Sequence, residues 1–110
     1  MQQAPTGQLA IEQFEEGQAL VDEAERWIAA NRNVWSRMVN QAANFAAQER
    51  RFSIALLVEE VRYSMRVEQV EGSDFKINND HRAVFARKLR EYPRIAPYIE
   101  VRASKVDGLV

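Results

Sequence analysis

The run Ser53-Ile54-Ala55-Leu56-Leu57-Val58-Glu59-Glu60-Val61-Arg62-Tyr63-Ser64-Met65-Arg66 decides the reading of the whole chain. Ile54, Leu57, Val58, Val61 and Met65 recur at three- and four-residue intervals, the period that puts side chains on one stripe of an α-helix. Glu59, Glu60, Arg62 and Arg66 fall outside that stripe and face water. Ser53 is a good N-cap, because its hydroxyl accepts an orphan N–H of the first turn, and Phe52 before it can pack on Leu57 as a hydrophobic staple. The helix ends somewhere from Tyr63 to Gln69.

Upstream, Ile11, Phe14, Leu20, Val21, Ala24, Trp27 and Ile28 share the same spacing, which predicts a first helix from about Ile11 to Ala30, weakened locally by Gly17. Asn31 or Asn33 can cap a second helix running to about Gln48 on an apolar face of Val34, Trp35, Met38, Val39, Ala42, Phe45 and Ala46. Downstream, Met65, Val67, Val70, Phe75 and Ile77 surround the turn residues Glu71-Gly72-Ser73-Asp74, a pattern that predicts a short β-hairpin. Asn78, Asn79 and Asp80 then cap a fourth helix with Val84, Phe85, Leu89 and Tyr92 inward, and Pro93 stops it. Tyr98 to Arg102 alternates as a short strand able to pair with that hairpin. The expectation is a mainly α, compact four-helix domain over residues 9–102, with a β-hairpin and a C-terminal strand compatible with a winged-helix-like variant. Residues 1–8 and 103–110 read as a flexible lead-in and tail.

At 110 residues the chain has room for one core and not two. Hydrophobic residues at 46% and charged residues at 28% are globular proportions, which argues against disorder. The absence of cysteine removes disulfides, thiolate zinc sites and cysteine nucleophiles together. No leader-like or bilayer-spanning apolar segment is visible, so the expected place of action is the cytoplasm of a bacterial host cell, with no membrane partner.

Several phrases occur in a distinctive order: Asn31-Arg32-Asn33-Val34-Trp35, Arg50-Arg51-Phe52-Ser53-Ile54, Val61-Arg62-Tyr63 and Asp74-Phe75-Lys76-Ile77-Asn78-Asn79, then Phe85-Ala86-Arg87, Tyr92-Pro93 and Arg102. The chain thereby resembles a family of small, poorly characterised phage and prophage proteins over roughly two-thirds of its length. Arg32 stands where that family usually has proline, and Tyr63 where it often has tryptophan. The resemblance implies origin in a mobile element and supplies no chemistry to transfer.

Catalytic constellations are weak. Asp74-Phe75-Lys76 has the acid-x-lysine form of metal-dependent nucleases, but no partner carboxylate on a neighbouring strand is evident, and a polar turn accounts for it. Asp74 to Asp80 lacks the glycine and terminal glutamate of a calcium loop, with Lys76 at a ligand position. His81 is the sole histidine, so a two-histidine zinc motif is excluded, and a surface position at a helix start explains it. No serine lies in a glycine-flanked elbow, and there is no phosphate-cradling glycine loop. No catalytic residue, metal or cofactor is expected, and the chain does not read as an enzyme.

Charge is the informative feature. The net charge is −1, yet residues 1–49 carry seven acids against three arginines, a balance of −4, and the rest carries twelve bases against nine acids, a balance of +3. Arg82, Arg87, Lys88, Arg90 and Arg94 concentrate on the fourth helix and just beyond it, with Asn79 and His81 at its start. That set predicts an accessory or regulatory protein that binds DNA through a basic helix, the cations positioning on phosphates. The bland alternative is a helix face paired with the acidic first half. A second functional reading, from another class, is a modulator of a host protein machine or an anti-defence factor, docking through Glu12, Glu15, Glu16, Asp22, Glu23 and Glu25. Oligomeric state is not fixed by any of these features.

Overall fold

The computed structural model describes residues 4–101, with side chains from Ile11 onward, Gln13 excepted. Four helices follow in order: α1 (Ala4–Ala30), α2 (Arg32–Ala47), α3 (Ile54–Val67) and α4 (Asn79–Arg90). α1 packs mainly on α4 and α2 mainly on α3, with lighter α1–α2 and α3–α4 contacts closing the bundle. The mainly helical four-element expectation therefore holds.

The predicted caps are made where they matter. Ser53 Oγ accepts from the Leu56 N–H at 3.1 Å, and Asn78 Oδ1 accepts from the Asp80 N–H at 2.8 Å. The α2 cap differs: Asn31 precedes the helix but its side chain turns back, Nδ2 donating to the Trp27 carbonyl at 2.9 Å, while Asn33 lies inside α2. α1 also starts earlier than the periodicity indicated, at Ala4. Pro5 falls in its first turn, where a missing N–H removes no intrahelical bond. The rest of the predicted lead-in, and the predicted tail from 103 with Arg102, lie outside the described residues.

The β-hairpin, and with it a winged-helix wing, is absent among the described residues. Met65 and Val67 belong to the last turn of α3, which Gln69 ends in the left-handed region (φ 59°) as the Val70 N–H bonds back to the Met65 carbonyl. Glu71 to Asp74 does turn, with Gly72 at φ 88°. The following carbonyls are claimed by side chains rather than by a cross-strand partner. Arg62 donates to the Phe75 carbonyl through Nε (3.3 Å) and Nη2 (2.9 Å), and Trp27 Nε1 donates to the Lys76 carbonyl at 3.0 Å. The C-terminal strand likewise shrinks to one parallel bridge, Phe52 with Ile99, where the Phe52 N–H reaches the Tyr98 carbonyl and the Glu100 N–H reaches the Phe52 carbonyl. Its partner is the α2–α3 loop, because residues 91–98 wind through successive turns and bring Ile95 and Ile99 onto the core.

The core runs through all four helices. Met38, Ala42, Leu57, Val58, Met65, Val84, Phe85 and Leu89 are fully enclosed. Phe85 sits between two indoles, 5.3 Å from Trp27 and 5.5 Å from Trp35, and Phe45 stacks on Phe52 at 5.1 Å. Tyr92, expected inside, is exposed instead, because it falls just past the end of α4.

Candidate interaction surface

The cationic helix is the most deeply embedded of the four. Val84, Phe85, Ala86, Arg87 and Leu89 of α4 are all buried. Arg87 is 3% exposed and Nη1 donates to the Ala83 carbonyl at 3.1 Å, so it is part of the interior and not presented to a phosphate. Lys88 Nζ meets Glu25 Oε2 at 3.0 Å, and His81 Nε2 meets Glu23 Oε2 at 3.2 Å, which makes His81 an α1–α4 contact rather than the surface residue expected. Arg82 is half-buried, with Nε enclosed and unbonded. Of the seven residues predicted to bind DNA, Asn79, Arg90 and Arg94 are exposed, Asn79 at the start of α4, Arg90 at its end and Arg94 beyond it.

The same contacts shorten the acidic surface. Glu23 and Glu25 are occupied by α4, Asp22 accepts from Gln18 Nε2 at 3.0 Å, and Glu16 is engaged as well. Glu12 and Glu15 remain exposed. Between and beside them are two large apolar side chains that periodicity assigned to the core: Ile11 is 59% and Phe14 57% exposed. Phe14 lies seven residues before the buried Val21 and so on the same side of the helix. The stripe that packs on α4 through Val21, Ala24 and Trp27 thus continues past the end of its partner.

Length explains this. α1 has 27 residues and α4 has 12, about 40 Å against about 18 Å of helix. The excess projects, and the molecule measures 60 × 29 × 17 Å. The signal was present in the sequence as apolar residues extending before Gly17, but periodicity cannot say how far a facing helix reaches.

Asp74-Phe75-Lys76 has a structural role. Phe75 is buried edge-on to Trp27 at 6.2 Å, and the Arg62 guanidinium lies 4.8 Å over its ring. With the two carbonyl bonds already described, this fixes the segment entering α4. Among the described residues no cluster of acids and histidine could hold a metal, and no helix is long and apolar enough to cross a membrane. Outside the α1–α4 set, Arg37 on α2 and Glu68 after α3 share two hydrogen bonds of 2.9 and 3.3 Å. Hydrogen bonding from Arg37, helped by Ser64, lowers the Glu68 pKa, and the same bond raises that of Arg37.

Fold and surface together define a four-helix domain whose long first helix packs on α4 from Val21 onward and leaves Phe14 and Ile11 exposed before it. No family model matches the chain, and no curated protein or solved structure matches it either.

Proposed function

We propose that this chain is a non-enzymatic accessory protein, of the phage or prophage origin its sequence resemblance implies, that modulates a partner protein through the first half of α1. One observation carries the reading: Phe14 lies exposed on the continuation of the stripe that is buried from Val21, two turns later, and Ile11 lies exposed one turn before Phe14. Enclosing each such side chain contributes about 1.5–3 kcal/mol, enough for two anchors to dominate a helix-in-groove contact. Glu12 and Glu15 flank the anchors. Two acidic segments repel one another, so the surface favours a groove rimmed with lysine or arginine over a second copy of itself.

DNA binding through α4 has weaker support, because Lys88 and His81 are paired and Arg87 is enclosed. Arg90 and Arg94 are the observation that favours it.

The test compares the wild type with Ile11→Ser/Phe14→Ser and with Glu12→Lys/Glu15→Lys. Each tagged chain is used for affinity enrichment from bacterial lysate, and the protein retained by the wild type is purified and titrated. Binding should weaken about 100-fold or more in the apolar variant and about tenfold in the charge-reversed one, with unchanged melting curves. Equal binding by all three chains would remove the reading. Salt-sensitive binding of duplex DNA that Arg90→Ala/Arg94→Ala abolishes would put the α4 reading in its place.

A further inference from the structure

A second surface, independent of α1, has an unusual chemistry. α2 contains no acidic residue, although more than a quarter of the chain is charged. On the side of α2 facing α3, Asn33, Asn40, Gln41 and Asn44 line a groove of about 470 Å³ over Val61. The one ionisable lining side chain, Arg37, is engaged by two hydrogen bonds to Glu68. The amides of Asn31 and Asn78 are used at helix ends, whereas these four make no side-chain hydrogen bond to any described residue.

We infer that this groove binds a neutral polypeptide segment in extended conformation, read through its backbone. A carboxamide carries a donor and an acceptor on one plane, the complement of a peptide group. Asn40 and Asn44 are one turn apart, about 6 Å along the axis, close to the ~6.6 Å between alternate residues of an extended chain. From Asn33 to Asn44 is about 16 Å, the length of five extended residues. A nucleic acid is a poorer fit, because phosphates need free cations and the groove's guanidinium is occupied by Glu68. A sugar is also poorer, since no aromatic face lines the groove.

Side-chain NH2 cross-peaks of Asn40 and Asn44 in the ¹⁵N-labelled full chain report the binding directly. The probe is an acetylated, amidated hexapeptide of threonine, valine and serine, compared with the same peptide N-methylated at alternate residues. Saturating shifts of both cross-peaks at about millimolar peptide are expected, absent with the methylated peptide. In Asn40→Ala/Asn44→Ala, affinity read from the Gln41 and Ser64 backbone peaks falls about tenfold or more. Both asparagines are exposed, and an unchanged backbone spectrum elsewhere verifies the fold. No saturable shift by ~10 mM, an equal response to the methylated peptide, or a response to oligo-dT or maltotriose instead overturns the inference.

Discussion

α4 and the first half of α1 exchange the roles their compositions suggest. α4 is the most cationic stretch of the chain and is buried on most of its circumference, with Lys88 held by Glu25, His81 by Glu23 and Arg87 by the Ala83 carbonyl. The stretch of α1 around Ile11 and Phe14 carries an ordinary apolar spacing, and there the two apolar side chains are uncovered. A local excess of charge marks an anion-binding surface only if nothing in the fold neutralises it. A local apolar stripe marks core only if a facing element is long enough to cover it. Where the two conditions fail together, as here, the uncovered apolar side chains lie on the helix that looked structural.

The sharpest way to break this contrast is to remove the centre of the α1–α4 contact. Phe85→Ala deletes a ring enclosed between Trp27 and Trp35, and should cost about 3–5 kcal/mol in urea unfolding. Next comes a paired test of the arginines. Arg87→Ala should destabilise by about 1–3 kcal/mol, because it empties a buried position and a charge-assisted bond to backbone, while Arg90→Ala on the exposed side should stay within about 0.5 kcal/mol. Equal effects of the two would mean that Arg87 is not interior and would restore α4 as a candidate phosphate-binding surface. On the other side of the contrast, Ile11→Ser/Phe14→Ser should leave unfolding unchanged to about 0.5 kcal/mol, since those side chains are already in water.

Much of the fold was legible because it rests on local rules. The apolar spacing of Ile54 to Met65, the Ser53 cap and the Asn78 cap follow from neighbours a few residues apart. What failed depends on distant partners. The hairpin was lost because Arg62 and Trp27, 13 and 49 residues from their acceptors, take the carbonyls a strand would have used. Arg87 looked outward because a long cationic side chain is normally solvated, and only the packing of the assembled fold encloses it. The pairs His81–Glu23 and Lys88–Glu25 bridge 58 and 63 residues, although the opposite charge of the two halves hinted at them. Exposure of Ile11 and Phe14 is a matter of relative helix length, which no single helix encodes.

Charge pairs give the smallest effects. Reversing Lys88→Glu should destabilise modestly, and adding Glu25→Lys should recover most of the loss, with a coupling of about 1 kcal/mol or less for partly exposed partners. Failure of the second change to rescue the first would show that α1 and α4 are held by packing alone.

The Arg37–Glu68 pair offers a comparison on the opposite side of the bundle, where α2 meets the end of α3. The Glu68 pKa is lowered in the folded state by its bond to Arg37, so its contribution is present in full above the unfolded carboxylate value of about 4.3 and disappears as pH falls through the lower folded value. Glu68→Gln should therefore lower Tm by about 1–2 °C at pH 7, and the gap to the wild type should close below about pH 4. The raised Arg37 pKa adds nothing over that range, because the guanidinium stays protonated throughout. A gap that persists undiminished into acid would mean that Glu68 acts through its packing or its bond from Ser64 rather than through its charge. The helices α2 and α3 would then be joined, like α1 and α4, by their apolar faces, with the ion pair beside the amide groove adding nothing to the bundle.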